Sequence, residues 1–209
     1  MPDSYPVMLR LDGVEVLLVG AGPIAARKLE GLLAAGALVT VVAPTVVDEI
    51  RASAVTVEQR PYRTGEAGEY RLVMTATGVP AVDRQVAEDA TIAGVWVNSA
   101  DDPANCSFTL PAVARRGPVT VAVSTDGHSP ALATWLRTRL ADALPPNIEA
   151  AVADLAAQRT AIRAEGGSTE TIDWTGRLEA ALARAASDAT TDEPQTPVPP
   201  SRERFAASS

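Results

Sequence analysis

The run Gly20-Ala21-Gly22-Pro23-Ile24-Ala25 sets two glycines and an alanine at the spacing Gly-x-Gly-x-x-Ala. Such a run does chemistry in one setting: where a strand ends at the first glycine and a helix starts after the second, unpaired N–H groups and the positive end of the helix dipole face an anion. Gly20 then permits the tight turn, Gly22 admits a phosphate without a Cβ in its way, and Ala25 keeps helix and strand close. A second candidate is the carboxylate pair Asp101-Asp102 before Pro103, which either accepts a proton as a general base or leaves a strand by a common turn. Ser124 and Thr125 precede Gly127-His128-Ser129-Pro130, so their hydroxyls either bind an anionic ligand or cap the helix that follows.

Other chemistries are poorly supplied. Cys106 is the one cysteine and His128 the one histidine, so a multi-thiolate zinc site and an internal disulfide are excluded, and no resident metal is expected. A reducing compartment and a cytoplasmic location fit that usage. The net charge of −8 leaves no basic field for nucleic acid. Lys28 is the sole lysine, and positive charge for an acidic ligand has to come from local arginines such as Arg10, Arg115, Arg116 and Arg137, each of which also reads as ordinary surface. The apolar runs fall far below the ~20 residues of a membrane span, and the start of the chain shows no basic, then apolar, secretory pattern.

The elements that would carry these residues alternate. Val14 to Val19 reads as a buried strand running into the glycine turn, and Ile24, Leu29, Leu32 and Leu33 recur at helical spacing until Gly36. Further strands are expected at Leu38–Val42, Val55–Gln59, Leu72–Ala76 and Val95–Asn98, with a helix around Val79–Ala93. Five strands with helices between them predict an α/β fold with a Rossmann-like doubly wound parallel sheet. Ser107–Leu110 and Val119–Val123 then suggest a hairpin outside that sheet. Pro130 opens a helix with Leu132, Leu136, Leu140 and Leu144 at four-residue spacing, a stripe that needs a partner surface. Helices at about 147–164 and 169–187 follow, and the Pro-, Ser- and Thr-rich end has little to bury and is expected to be disordered. The boundaries predicted are residues 1–112 for the nucleotide-binding domain, 113–145 for a dimerisation region, 146–188 for a small helical domain and 189–209 for the tail.

In this strand-turn-helix setting the glycine run is a dinucleotide fingerprint, with a structural glycine turn as the alternative. The expected cofactor-binding residues are Gly20, Gly22, Pro23, Ile24, Ala25, Pro44, Thr45 and Thr77. The second strand ends in Val42-Ala43-Pro44-Thr45, without the acid that commonly binds the adenosine ribose and without an arginine for a 2′-phosphate. NAD is therefore expected rather than NADP.

The chain also resembles a known family. From about Tyr5 to Arg163 it is similar to the precorrin-2 dehydrogenase and sirohydrochlorin ferrochelatase proteins, which also form the N-terminal part of sirohaem synthases. The resemblance rests on five blocks in order: Tyr5 to Leu11, Val19 to Lys28, Val97 to Pro103, Ser107 to Pro111 and Val121 to Pro130. It implies NAD-dependent oxidation of precorrin-2 to sirohydrochlorin, with ferrous iron insertion as a second activity left open, and a homodimer with an intertwined dimerisation region.

The family's functional aspartate falls on Asp101. Oxidising the macrocycle sends a hydride to the nicotinamide and a proton to a base, and metal insertion removes two protons from pyrrole nitrogens, so one carboxylate can serve either step. Ser124 and Thr125 fall in the family's serine-containing loop, and with Arg115 and Arg116 they are candidate binders of the tetrapyrrole carboxylates. Two alternatives stay open: a non-catalytic NAD-binding sensor, and a cobalt-chelating relative.

Overall fold

The computed structural model describes residues 4–100 and 102–191. Strand β1 (Glu15–Val19) buries four of its five residues, as a strand covered on both faces must. The chain turns at Gly20 and enters α1 (Pro23–Ala34), where proline at the first helical position loses no hydrogen bond. Ala25, Leu29 and Leu32 of α1 are buried. The helix stops before Gly36, whose φ of +78° suits only glycine well, and β2 (Leu38–Val42) follows.

Next come the single turn α2 (Asp48–Arg51), the short strand β3 (Thr56–Glu58), β4 (Leu72–Thr75), α3 (Pro80–Ile92) and β5 (Trp96–Ser99). The strands lie in the order β3-β2-β1-β4-β5, every pair parallel. Val19 pairs with Val42 and with Thr75, and Thr75 pairs with Ser99, so the carboxyl ends of four strands share one edge. Alternation along β1 divides the core. Val16 and Leu18 pack with Ala25, Leu29 and Leu32 of α1 on one face, and Leu17 and Val19 pack with Val86, Ala87 and Ala90 of α3 on the other. Each fully buried leucine contributes roughly 1.5–3 kcal/mol by its removal from water.

The second part differs from the sequence expectation in two places. The hairpin is β6 (Ala112–Arg116) with β7 (Val119–Val123), joined by Gly117-Pro118, so its first strand lies five residues beyond the expected Ser107–Leu110. Ser107 is occupied elsewhere. Its N–H donates to Val97 O at 2.8 Å and its Oγ accepts from Val97 N at 2.7 Å, which binds it to the free edge of β5. Helices α4 (Pro130–Asp142) and α5 (Ile148–Ala164) fall where expected. Helix α6 (Thr175–Thr191) starts six residues late, because Trp174 Nε1 donates to Thr169 O at 3.0 Å and folds the intervening stretch into a turn. It also takes in residues 189–191 of the expected tail, whereas 192–209 lie outside the described residues.

Contacts divide the chain into one unit within Met1–Leu110 and Thr125–Ser129 and another within Pro111–Ser124 and Pro130–Ser209. In the second unit α5 and α6 meet through Ala151, Ala181 and Ala185, all buried, where small side chains let the backbones approach. Arg184 pairs with Asp154 across the same two helices. Among the described residues no helix is long and apolar enough to cross a membrane.

Candidate functional site

Three loops converge at the carboxyl edge of the sheet. Gly20 N donates to Val42 O at 2.9 Å and Val47 N donates to Ala21 O at 3.1 Å, which draws the segment after β2 against the glycine turn. The turn is equally tight against the loop after β4: a Cβ built on Gly20, whose φ is +102°, would stand 2.4 Å from Ala76 O and 2.9 Å from Thr77 N. Gly22 is the opposite case, since a Cβ there would meet nothing within 4 Å. The protein leaves that side open. Gly22 is the N-cap of α1 and makes no side-chain cap bond, and the first intrahelical bond is Ala26 N to Gly22 O at 3.0 Å. The N–H groups of Ile24 and Ala25 therefore precede the helical ladder and suit an anion.

The sequence-expected cofactor residues thus gather from three loops: Gly20, Gly22, Pro23, Ile24 and Ala25 after β1, Pro44 and Thr45 after β2, and Thr77 after β4. The loop after β4 is held by Asp83, which is 7% exposed at the start of α3. Its Oδ1 accepts from Thr75 Oγ1 and from Thr77 N, the latter at 3.2 Å. Neither Asp83 nor Thr75 carries a sequence signal, because their link is a tertiary one. A pyrophosphate and its two ribosides fit this edge by donor chemistry and by the space at Gly22.

One arginine is linked to the end of β2 through an intervening side chain. Arg51 Nη2 donates to Gln59 Oε1 at 3.1 Å, and Gln59 Nε2 donates to Pro44 O at 3.2 Å. The turn of α2 carries Arg51 back toward the strand end. Linear spacing does not reveal this, because the guanidinium arrives through a side chain of β3's trailing residues.

At β5 the buried Asn98 accepts from Lys28 Nζ at 2.6 Å and donates to Phe108 O at 3.0 Å. Cys106 Sγ accepts from Ser99 N at 3.1 Å. Burial pushes that thiol's pKa up, against the lowering effects of the Ser99 N–H and the Lys28 charge, which favours the protonated thiol over the thiolate. Asp101 lies outside the described residues. Its neighbours are fixed: Ala100 N donates to Thr75 O at 2.9 Å, and Asp102 Oδ2 accepts from Asn105 Nδ2 at 2.7 Å.

Of the four residues expected to bind substrate, Thr125 uses its hydroxyl locally, accepting from Ser129 N at 3.1 Å and donating to Ser129 O at 3.0 Å. Arg116 donates to Leu144 O at 2.9 Å and Pro145 O at 3.3 Å, closing the carboxyl end of α4. Arg115 is exposed on the hairpin, in the other unit from Thr125, and Ser124 follows β7. Among the described residues no three His, Cys, Asp or Glu side chains come together as metal ligands.

Known proteins are similar to this chain over the same residues. Residues 7–112 match the family described as putative NAD(P)-binding, and residues 116–143 match the sirohaem biosynthesis protein central family. The siroheme synthase of Tolumonas auensis is 42% identical over 150 residues, which is 71% of this chain and 32% of that protein. That of Methylococcus capsulatus is 40% identical over 147 residues, 68% of this chain and 31% of that protein. The chain thus spans about a third of the length of the curated relatives it matches. The solved structure of SirC, a precorrin-2 dehydrogenase, is 28% identical with a TM-score of 0.66 and covers 87% of this chain and 88% of its own. The chain belongs to the putative NAD(P)-binding family, and behind that part it carries a segment that matches the sirohaem biosynthesis protein central family.

Proposed function

We propose that the protein oxidises precorrin-2 to sirohydrochlorin with NAD as the electron acceptor. The observation that carries this reading is the open, donor-lined turn at Gly22, set on a chain that is similar to a precorrin-2 dehydrogenase over nearly its whole length. When bound, the dinucleotide supplies a two-electron acceptor. The start of α1 binds its pyrophosphate, Pro44 and Thr45 frame the ribose, and Thr77 is the contact from the loop after β4, through its backbone because its hydroxyl is bonded to Val79 N and O. The macrocycle loses two electrons and two protons: one proton leaves with the electron pair and the other passes to Asp101, the proposed base.

Ser124, Thr125, Arg115 and Arg116 are the proposed contacts for substrate carboxylates, with Arg115 the guanidinium not committed to the end of α4. Ferrous iron is a proposed second substrate, taken up when the same carboxylate removes pyrrole protons. The exposed Leu132, Trp135 and Leu140 of α4 are proposed to be covered by a second copy of the chain, and the single unpaired Cys106 fits action in the cytoplasm.

The test is anaerobic conversion of precorrin-2 made in situ, followed by its chromophore change with NAD, with NADP, and with or without ferrous iron. Conversion with NAD that is lost in Asp101→Ala, while dinucleotide binding persists, supports the reading. Binding of NAD without any conversion favours a sensor, and full activity in Asp101→Ala removes that residue as the base.

A further inference from the structure

The sole lysine of the chain is only partly exposed to solvent. Lys28 lies on α1 four residues after Ile24, half-buried, and its ammonium is 2.6 Å from Asn98 Oδ1, seventy residues away on β5. Asn98 is 6% exposed and passes the contact on, its Nδ2 donating to Phe108 O at 3.0 Å. Beside it Ser99 N donates to Cys106 Sγ, Cys106 Sγ lies 3.3 Å from Asp102 O, and Ser107 is bound twice to Val97. Residues 106–108 therefore run back along β5, held by Ser99, by Val97 and by the amide of Asn98. A charged group in such a place costs desolvation that an apolar residue would avoid, so packing alone does not account for it.

We infer that Lys28 is a positioning residue: acting through Asn98, it ties the helix whose first turn binds the dinucleotide to the strand and return segment that flank Asp101 in the sequence. The proposal rests on the reading of this edge as a dehydrogenase site. It assigns to Lys28 the alignment of two parts, the oxidant's helix and the proton acceptor's strand, and no contact with substrate. Its loss therefore acts on turnover rather than on dinucleotide binding, since the donors at Ile24 and Ala25 stay in place.

The experiment compares Lys28→Met, Lys28→Arg, Asn98→Leu and the Met/Leu double variant in the full chain. Four quantities are measured: kcat, KM for NAD, NAD affinity by titration, and the rate at which the sole thiol, Cys106, reacts with an aromatic disulfide. The expected result for Lys28→Met is a kcat lower by about 10- to 100-fold, the scale of a small misalignment, with NAD affinity within about twofold and faster labelling of Cys106. Lys28→Arg restores part of kcat, and the double variant is no worse than Lys28→Met alone, because Asn98→Leu then cuts a link already lost.

Unchanged kcat in folded Lys28→Met, losses that multiply in the double variant, or a change confined to NAD affinity overturns the inference. Should Lys28→Met fail to fold, Lys28→Arg decides, since a merely structural role gives it wild-type kcat once folded. If the unaltered protein binds NAD but converts no substrate, the functional reading fails on its own, and an unaltered labelling rate of Cys106 in Lys28→Met then counts against the link itself.

Discussion

A β-carbon on Gly20 would stand 2.4 Å from the carbonyl oxygen of Ala76, so the glycine turn and the loop after β4 touch backbone to backbone. Two glycines two residues apart therefore have different jobs. Gly20→Ala meets both a φ of +102° and this clash, each costing roughly 1–3 kcal/mol, and a clear drop in unfolding midpoint is expected. Gly22→Ala meets open space in the protein. It should leave stability within about 1 kcal/mol while weakening NAD binding by about tenfold or more, the equivalent of ~1.4 kcal/mol. Chemical denaturation and NAD titration of the pair check both halves; equal stability losses would contradict the division.

Asp83→Ala leaves a buried Thr75 hydroxyl and the Thr77 N–H without their shared acceptor. Orphaned buried groups cost about 1–3 kcal/mol each. The variant should be destabilised by roughly 2–4 kcal/mol and should show a raised KM for NAD, because Thr77 loses its anchor. Asp83→Asn keeps an acceptor and should fall between the two. Urea melts and steady-state kinetics measure this.

Acid sensitivity should trace in part to Asp89, 9% exposed on α3. Burial opposes its ionisation, but bonds from Gly65 N at 2.7 Å, Tyr62 Oη at 2.8 Å and Gln85 Nε2 at 2.9 Å outweigh that and hold its carboxyl below the ordinary value of 3.8. A carboxyl depressed in the folded state stabilises above its unfolded pKa, and that contribution disappears as pH falls through the folded one. Stability should therefore decline below about pH 4, with a slope that Asp89→Asn reduces. Thermal melts from pH 7 to pH 3 test the sign.

The first half of the fold was legible because its signals are local. Val16 to Val19 is apolar, Gly20 and Gly22 punctuate, and Leu29 and Leu32 repeat at helical spacing, so period and turn chemistry agree on β1, the turn and α1. The hairpin was misplaced for a physical reason. Ser107 to Leu110 has strand-like residues, but Ser107 spends its hydrogen bonds on Val97, and the two-residue connection Gly117-Pro118 forces Arg116 opposite Val119. Counting back from that turn reaches Ala112. Arg51 and Lys28 were beyond sequence reasoning, since each acts through a residue brought near only by the sheet: Gln59 for one, Asn98 for the other.

The α4 stripe makes a separate prediction about assembly. Leu132 is 47% exposed and Leu140 49%, with Trp135 beside them under Arg139 at 5.2 Å. If a second copy covers this face, the wild-type chain sediments as a dimer at micromolar concentration. Leu132→Ser with Leu140→Ser should then yield monomers that stay folded, since neither side chain belongs to the chain's own core. A wild-type monomer at that concentration would refute the pairing.

Arg51 makes the last prediction, on cofactor choice. Its guanidinium is held by Gln59, which is itself bonded to Pro44 O at the strand end where the adenosine ribose is expected. NAD has nothing for it to neutralise, whereas NADP carries a 2′-phosphate. Asp48 and Glu49 sit on the same turn and oppose that added charge, so NAD should remain the better substrate. Arg51→Ala should leave kcat/KM for NAD within about twofold and lower that for NADP by about tenfold, the loss of one exposed charge-assisted contact. Gln59→Ala, which frees Arg51 from its support, should move NADP use in the same direction by less. Parallel kinetics with the two cofactors decide the matter: equal losses for NAD and NADP would mean that Arg51 supports the loop and does not read the ribose.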